Sequence, residues 1–309
     1  MILSTNSEVP ILVTGAHRSG TTWTSKMLGL AKDTIVAEEP FNVEPGNFAL
    51  GGLADHHFIY APELDQVEAE RTFRMIYNKE TGRIFKRRSI QHYLKCSRAG
   101  RLIIKDPIAC LSSAWIADRF DIDVVAMVRH PCAFTESLRR MNWEPDLSQL
   151  FTSQRMLVKD FLKPMMPLIR ACDTDFDSRC AVTWKILYHV LSHFIAAHPR
   201  WIVKTHEALS LEPIEEFQDL YARLSLPWSD DVARKIEAYT GCENRRSVEA
   251  RKHHCLHRDS RANAFRWKHQ MTVEQIQHIK NITYPEWTEH YTEAHWALPE
   301  YYYATESAS

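Results

Sequence analysis

The chain has 309 residues, of which 45% are hydrophobic and 25% are charged. This length and apolar content can bury a large core, and they favour one domain with insertions, 1–309, over two modest domains. The 38 Lys and Arg residues nearly balance the 39 Asp and Glu residues, for a formal net charge of −1. This balance provides no overall field for holding a nucleic-acid backbone or an anionic membrane, so any anion must be bound by local groups.

The cysteines and the longest apolar runs bear on where the protein works. The seven cysteines include no C-x-x-C pair and no regular framework, which favours a thiol-reducing compartment. The first residues lack a charged leader before an apolar segment, and no run approaches the roughly 20 apolar residues of a membrane helix. The sequence therefore predicts a soluble, cytoplasmic protein, and it does not indicate an oligomeric state.

In chain order, five short apolar runs have the pattern of buried strands. They are ILVTG from Ile11, TIVA from Thr34, RLIIK from Arg101, IDVVAMV from Ile122 and WIVKT from Trp201. Segments with helical periodicity separate them. Strands that alternate with helices predict an α/β fold with a central parallel sheet of about five strands flanked by helices.

Polar or ionisable residues follow every one of these runs: GAHRSGTT, EEPFN, KDP, RHP and THE, in that order. A single polar ending is what any solvent-exposed loop provides. Five of them at the carboxyl ends of parallel strands, where such a fold binds its ligands, favour a site built from strand ends.

Residues 138–200 are mostly helical in pattern, although Pro164 and Pro167 interrupt them. We expect this helical insertion to supply core helices and also a wall over the site of a second substrate, the acceptor. Two later segments, PIEEFQDLYARLSL and TVEQIQHIKNI, have the spacing of amphipathic helices.

The first strand runs into a loop with two glycines. Gly15 and Gly20 have the spacing of the nucleoside triphosphatase loop G-x-x-x-x-G-K-[ST], in which backbone N–H groups and a helix N-terminus surround an anion. Thr21 stands where that pattern has its lysine, and the positive charge lies within the loop, at Arg18. Since a planar guanidinium can chelate two oxygens of a tetrahedral anion, the loop predicts a nucleotide other than ATP.

The string HRSGTTW, residues 17–23, resembles the loop with which sulfotransferases bind 3′-phosphoadenosine 5′-phosphosulfate (PAPS). The resemblance implies a P-loop-type fold, and it implies contacts to the 5′-phosphosulfate from Arg18, Ser19, Gly20, Thr21 and Thr22. It also implies that Trp23 packs against the adenine, the alternative being a core tryptophan on the first helical turn. HEALSLEP, which contains Glu207, resembles the family's helix entry after the last strand. The resemblance spans nearly the whole chain and is closer to the carbohydrate-modifying and bacterial enzymes than to the cytosolic aryl branch.

A second part of the resemblance concerns the 3′-phosphate. In VVAMVRHPCAFTESL a strand ends at Arg129 and Ser137 follows eight residues later, which is the family's spacing for the pair on this phosphate. Arg18 and Arg129 are therefore expected at opposite ends of the nucleotide. SRANAFRWKHQMTVEQI resembles the family's C-terminal segment, but the cytosolic R-K-G triplet is absent; its candidate replacements are Arg258, Ser260 and Arg261.

The base that takes the proton of the acceptor hydroxyl is not fixed by a single motif. The cytosolic branch uses a histidine after the third strand, where this chain has Pro107. Carbohydrate-modifying relatives use a glutamate after the second strand, where AEEPFN offers Glu38 and Glu39, and we favour Glu39. Adjacent carboxylates would repel and raise the pKa of one of them toward the working range of a base, unless the pair simply faces solvent. His206 is the second candidate.

Lys105 is the candidate cation on the bridging oxygen as the leaving group departs. The alternative is a strand-end lysine paired with Asp106.

The sequence therefore predicts a sulfotransferase that moves a sulfuryl group from PAPS to a hydroxyl, less readily an amine, of a sugar or small polar metabolite, and releases 3′-phosphoadenosine 5′-phosphate (PAP). Fixed cations and N–H groups suffice for such an in-line transfer, so no metal is required. KHHCLH at 252–257 lacks the spacing of a zinc site and is interpreted as a basic loop near the 3′-phosphate. Two alternatives remain open: a P-loop kinase or nucleotidase that acts on ATP, with Asp106 as its magnesium ligand, and a non-catalytic nucleotide-binding relative.

Overall fold

The structure is a computed structural model, and it describes residues 9–42, 57–79, 100–240 and 260–298. Five parallel strands form one sheet: β1 (Ile11–Gly15), β2 (Thr34–Glu38), β3 (Arg101–Lys105), β4 (Asp123–Val128) and β5 (Ile202–Thr205). Their order across the sheet is β2-β3-β1-β4-β5. The predicted α/β fold with a parallel sheet is confirmed, and each predicted strand begins and ends within about one residue of the observed one, as expected of boundaries drawn from sequence patterns.

Helices surround this sheet. The α-helices of four residues or more within the described ranges are α1 (Thr21–Leu28), α2 (Gln66–Tyr77), α3 (Ser113–Arg119), α4 (Pro131–Met141), α5 (Met166–Ala171), α6 (Phe176–Ala197), α7 (His206–Leu211), α8 (Pro213–Arg223), α9 (Asp230–Thr240), α10 (Ser260–Ala264), α11 (Val273–Thr283) and α12 (Glu293–Trp296). Turns of 3-10 helix lie at Ala61–Glu63, Ile108–Ser112, Lys163–Met165, Arg266–His269 and Glu286–Glu289, and turns of π-helix lie at Ser148–Thr152 and Val158–Leu162.

The core has two parts, because alternate residues of a strand point to opposite faces of the sheet. Leu12 of β1 belongs to one part, which also contains apolar residues of α2, α3, α4, α6 and α11. Ile11 and Val13 belong to the other part, with residues of α1, α7, α8 and α9. Both faces of the sheet are therefore covered, as a buried parallel sheet requires.

The register of the strands brings their carboxyl ends to one edge. The last pairs of neighbouring strands are Glu38 with Lys105, Gly15 with Met127, and Val128 with Thr205. The loops that follow all five strands consequently begin side by side.

The predicted insertion at 138–200 is helical, with short irregular turns in its first half. Pro164 and Pro167 both lie in the first turn of a helical segment, where the missing N–H of proline breaks no helical hydrogen bond. Within the described residues α6 alone is long and apolar enough to cross a membrane. The apolar runs of the sequence predict no segment of that kind. Of its most apolar window, 67% is buried inside the protein, as in a core helix.

Asp106 forms hydrogen bonds with the loop after β2 and with the loop after β3, at the carboxyl edge of the sheet. Its Oδ2 accepts the N–H of Phe41 at 2.7 Å, and its Oδ1 accepts the N–H of Ile108 at 2.9 Å. Burial raises the pKa of Asp106 to about 7, against the effect of these two hydrogen bonds. The carboxyl is completely buried.

We expect Gly15→Ala to lower the free energy of unfolding by about 3 kcal/mol or more in a urea titration. The φ of Gly15 is 143°, and a Cβ there would lie 2.2 Å from the carbonyl oxygen of Met127. The matched control is Gly100→Ala, whose Cβ would lie 3.7 Å from its nearest neighbour and should change stability by less than about 1 kcal/mol. Equal stability of the two variants would contradict the geometry at Gly15.

A second prediction concerns pH. Since the pKa of Asp106 is about 7 in the folded protein and about 4 in an unfolded chain, the folded state binds this proton more tightly. The resulting contribution to stability is complete below about pH 4 and is lost as the pH rises through 7. Between pH 5 and pH 8 we expect the wild type to lose about 2 kcal/mol of unfolding free energy relative to Asp106→Asn. Parallel stability profiles of the two proteins would refute this shift.

Candidate functional site

A cavity of about 850 Å³ lies at the carboxyl edge of the sheet. The loops after all five strands contribute to its wall, with Arg18 after β1, Glu39 after β2, Pro107 after β3, Arg129 after β4 and His206 after β5. The five polar strand ends of the sequence therefore meet in one cavity.

The loop after β1 has an unusual backbone. Arg18 has a φ of 65° and Gly20 a φ of 98°, and the N–H of Ser19 donates to the carbonyl of Ala16 at 3.1 Å. A Cβ at Gly20 would lie 2.6 Å from Nδ1 of His206, so only glycine fits there without movement of the imidazole. Helix α1 starts directly after this loop, at Thr21.

This arrangement suits an anion. The first N–H groups of an α-helix have no partner within the helix, and the helix dipole places partial positive charge there. Thr21, Thr22 and Trp23 of the first turn of α1 line the cavity. Ser19 is fully buried, and its Oγ has no hydrogen-bond partner among the described residues.

Arg129 is the most deeply buried cation of the cavity wall, with 4% of its surface exposed. Its Nη1 donates to the carbonyl oxygen of Arg18 at 2.6 Å. Its Nε and Nη2 are buried and have no partner among residues 9–42, 57–79, 100–240 and 260–298. Burial lowers the pKa of Arg129, and the carboxylates of Glu207 and Glu136 oppose that shift. Two nitrogens of this buried guanidinium, Nε and Nη2, therefore have N–H groups without a described acceptor. An anionic ligand in the cavity would accept their hydrogen bonds and balance the buried charge.

Arg18 contacts the predicted partner of Arg129. Its Nε donates to Ser137 Oγ at 3.0 Å, and its guanidinium lies 5.6 Å from the ring centroid of Trp143. Ser137 is fully buried and is not part of the cavity wall. The structure therefore brings Arg18, Arg129 and Ser137 into one cluster, whereas the sequence places the two arginines at opposite ends of the ligand and Ser137 beside Arg129.

The sequence leaves two positions open for Trp23, one against the adenine and one in the core, and its surroundings have features of both. Its ring makes edge contacts with Phe217 at 5.4 Å and with His206 at 5.7 Å, and it also lines the cavity. One side of the ring belongs to the core and another is available to a ligand.

Glu39 and Glu38 have different surroundings. Lys105 Nζ donates to Glu39 Oε1 at 2.5 Å, and Asn42 Nδ2 donates to Glu39 Oε2 at 2.8 Å. Glu38, the last residue of β2, lies outside the cavity wall, with Oε1 3.9 Å from Nζ of Lys26. The two adjacent carboxylates are therefore paired with different lysines, Glu38 with Lys26 and Glu39 with Lys105.

Lys105 lies beneath Glu39 and not on the cavity surface. Only 1% of its surface is exposed, and its ammonium bonds to Glu39 rather than to Asp106. The structure therefore places Lys105 next to the candidate base and not where it would touch a leaving oxygen directly.

The remaining predicted residues are divided. His206 begins α7 and lines the cavity. Ser260 also lines it, and its Oγ donates to the carbonyl of Ser210 at 3.1 Å. Arg261 is exposed and is not part of the wall. Arg258 and the 252–257 stretch lie outside the described residues.

No group of His, Cys, Asp and Glu side chains within the described part of the chain could hold a metal ion. Four cysteines lie there, all as free thiols: Cys110, Cys132, Cys172 and Cys180. The other three cysteines, Cys96, Cys242 and Cys255, lie outside it.

The sequence predicts that the insertion forms a wall of the site, but it does not indicate which individual residues line the cavity. The segment 142–150 of the insertion contributes Trp143, Asp146 and Leu150, and Phe58 and His17 complete this side. The rest of the insertion, above all α6, is core.

His17 packs against Phe58 and Phe134, each with a centroid distance of 5.1 Å. Burial, assisted by Arg18 and His57, lowers the pKa of His17 to about 3, so the ring is neutral at pH 7. His17 opens the HRSGTTW string, but no motif marks Phe58 or Trp143, because only the fold brings 17, 58 and 143 together.

Several solved structures are similar to the chain in fold. The sulfotransferase domain of the Synechococcus PCC 7002 olefin synthase is 15% identical, with 89% of this chain and 94% of that chain covered and a TM-score of 0.44. Mouse sulfotransferase SULT7A1 complexed with PAP is 13% identical, with coverage of 89% and 83% and a TM-score of 0.43. Sulfotransferase STF1 from Mycobacterium tuberculosis H37Rv is 13% identical, with coverage of 90% and 76% and a TM-score of 0.43.

No curated protein matches the chain significantly in sequence. The sequence profile described as the Sulfotransferase family, however, matches residues 10–230. This match covers well over half of the chain, and it includes the glycine loop after β1, Glu39, Arg129 and His206. The chain therefore belongs to the sulfotransferase family.

Proposed function

We propose that the protein transfers the sulfuryl group of PAPS to a hydroxyl group of a sugar or another small polar metabolite. The observation that carries this proposal is Arg129, whose buried guanidinium lines the cavity with two N–H groups that have no partner among the described residues. It lies next to a glycine loop and a helix N-terminus, which also favour an anion. Membership of the sulfotransferase family connects this anion site to PAPS.

The donor would be held by residues after β1 and β4. The start of α1 and the loop before it offer N–H groups to the 5′-phosphosulfate, and Arg129 offers its N–H groups to the 3′-phosphate. The Nε of Arg18 is bonded to Ser137, and its carbonyl oxygen accepts Nη1 of Arg129, so both arginines are held at the loop after β1. Trp23 offers a ring face for the adenine.

When bound, PAPS supplies a sulfuryl group whose sulfur forms a bond to the acceptor oxygen as its bond to the phosphate oxygen breaks. Glu39 accepts the proton of the acceptor hydroxyl, in the role of general base. Lys105 and Asn42 each hold one oxygen of this carboxylate, which fixes its orientation toward the cavity. Fixed N–H groups at α1 and the two arginines stabilise negative charge without reorganisation. His206 is the alternative base, since it lines the same cavity.

The two other functions receive less support. A kinase would need a magnesium ligand, and the carboxylate of Asp106 is buried and accepts two backbone N–H groups. A non-catalytic relative would have no need for the oriented Glu39 beside the anion site. We therefore retain sulfuryl transfer.

Calorimetric titration tests the donor. We expect PAP to bind the wild type more tightly than ATP does, because Arg129 adds a charge-assisted contact that ATP cannot use. Arg129→Gln should weaken PAP binding by about 100-fold and the binding of adenosine 5′-phosphosulfate, which lacks the 3′-phosphate, by no more than about tenfold, through the lost bond to the carbonyl of Arg18.

The control for this experiment is Arg119→Gln. Arg119 is an exposed arginine whose guanidinium lies over Trp115, outside the cavity. Its substitution should leave both affinities unchanged. Tighter binding of ATP than of PAP by the wild type would reject the proposed donor.

The base is tested by Glu39→Gln with Glu38→Gln as its neighbour control. Loss of a general base should reduce the rate of sulfate transfer from labelled PAPS by about 100-fold or more without weakening PAP binding. Glu38→Gln removes only a pair with Lys26 at 3.9 Å, outside the cavity, and should keep most of the activity. Activity of Glu39→Gln near the wild-type level would transfer the role to His206.

A further inference from the structure

The main chain of Arg129 lies just past the end of the sheet. The last pair of the β4 ladder joins Val128 to Thr205, so Arg129 is the first residue after the paired strand. Two buried side chains bond to its main-chain N–H and C=O groups. The N–H of Arg129 donates to Tyr188 Oη at 3.2 Å, and Trp184 Nε1 donates to the carbonyl of Arg129 at 2.7 Å.

Both side chains come from α6. Residues four apart lie on the same face of a helix, and the two rings contact each other with a centroid distance of 4.6 Å. Trp184 is completely buried and Tyr188 nearly so. The hydroxyl of Tyr188 also donates to the carbonyl of Met127 at 3.2 Å, so it bridges two peptide groups at the end of β4. Burial raises the pKa of Tyr188, so the hydroxyl keeps the proton that this bridge needs.

We propose that Trp184 and Tyr188 are positioning residues that hold Arg129 for the 3′-phosphate of the donor, an inference that rests on the proposed function. The side chain of Arg129 has one described anchor of its own, the bond from Nη1 to the carbonyl of Arg18. Its Nε and Nη2 have none among the described residues. The direction of these two N–H groups is therefore set by the main chain from which the side chain extends, and the two aromatic residues fix that main chain.

Glu207 bonds to His130, the residue after Arg129, and to Tyr291. Its Oε1 accepts the N–H of His130 at 3.1 Å, and its Oε2 accepts the hydroxyl of Tyr291 at 2.7 Å. Glu207 also carries a negative charge that acts on Arg129 directly. A substitution of Glu207 would therefore change both the position of Arg129 and the charge near it, and the two effects could not be told apart. Trp184 and Tyr188 are neutral. Tyr188→Phe removes only the hydroxyl oxygen, whereas Trp184→Phe also leaves a cavity in the core, so it needs a control with the same change of volume.

The test uses Trp184→Phe and Tyr188→Phe, with PAP and adenosine 5′-phosphosulfate as probes in calorimetric titrations. Each variant loses one hydrogen bond to Arg129, so we expect the Kd for PAP to rise about three- to tenfold. The Kd for adenosine 5′-phosphosulfate should stay within about twofold, because it lacks the phosphate that Arg129 binds. A general loss of packing would weaken both ligands alike.

Two controls match these variants. Trp287→Phe removes a buried indole whose Nε1 has no hydrogen-bond partner among the described residues. Tyr221→Phe removes a buried hydroxyl that donates to Met27, in the core on the other face of the sheet. Neither should change the ratio of the two Kd values. In an Arg129→Gln background, Tyr188→Phe should have no further effect on PAP binding, because the group that it positions is gone.

The outcomes separate the two proposals. If the wild type binds PAP and both variants keep the wild-type ratio of Kd values, the positioning role is overturned and the proposed donor stands. If the wild type does not bind PAP, the proposed function fails, and this inference fails with it. Should Trp184→Phe not fold, Tyr188→Phe decides the question, since it removes a single oxygen atom.

Discussion

The hydrogen bond from Arg129 Nη1 to the carbonyl of Arg18 is the contact on which the anion site depends. It joins the loop after β1 to the end of β4, two strands that pair directly in the sheet. Arg18 has a positive φ, which a non-glycine residue adopts at some cost. A charged N–H that binds this carbonyl in a buried place stabilises that conformation and keeps Arg129 beside the glycine loop.

The strand order separates the charges of the cavity. On one side of the central β1, Arg129 follows β4 and His206 follows β5, and on the other side Glu39 follows β2. The loop with Arg18 lies between them. In the proposed reaction an anionic donor would bind toward the β4 side, and the carboxylate that accepts the proton would lie toward β2. Such a separation would allow the acceptor to approach from the side opposite the leaving group, as in-line transfer requires.

The sequence predicts what local patterns encode. Short apolar runs with polar ends define the five strands, and HRSGTTW contains a complete loop within seven consecutive residues. Contacts between residues far apart in the sequence are harder to predict. Ser137 bonds to Arg18, which is 119 residues away in the chain, and Lys105 bonds to Glu39, which is 66 residues away. Both depend on the register between strands and on the direction of a loop with positive φ, which no short motif records. The sequence names these residues as candidates, and their partners are visible only in the fold.

The insertion serves two structural purposes that its sequence does not separate. Its long helix α6 is apolar enough to resemble a membrane span, yet its Trp184 and Tyr188 place polar tips on the main chain of Arg129. Its segment 142–150 instead lines the cavity, where the ring centroid of Trp143 lies 5.6 Å from the guanidinium of Arg18 in the loop after β1. The two parts of the insertion therefore contact the two arginines separately, α6 at the main chain of Arg129 and the segment 142–150 at the side chain of Arg18. A substitution in either part is expected to disturb the proposed donor site, because Trp143 couples the shape of the cavity wall to the position of Arg18.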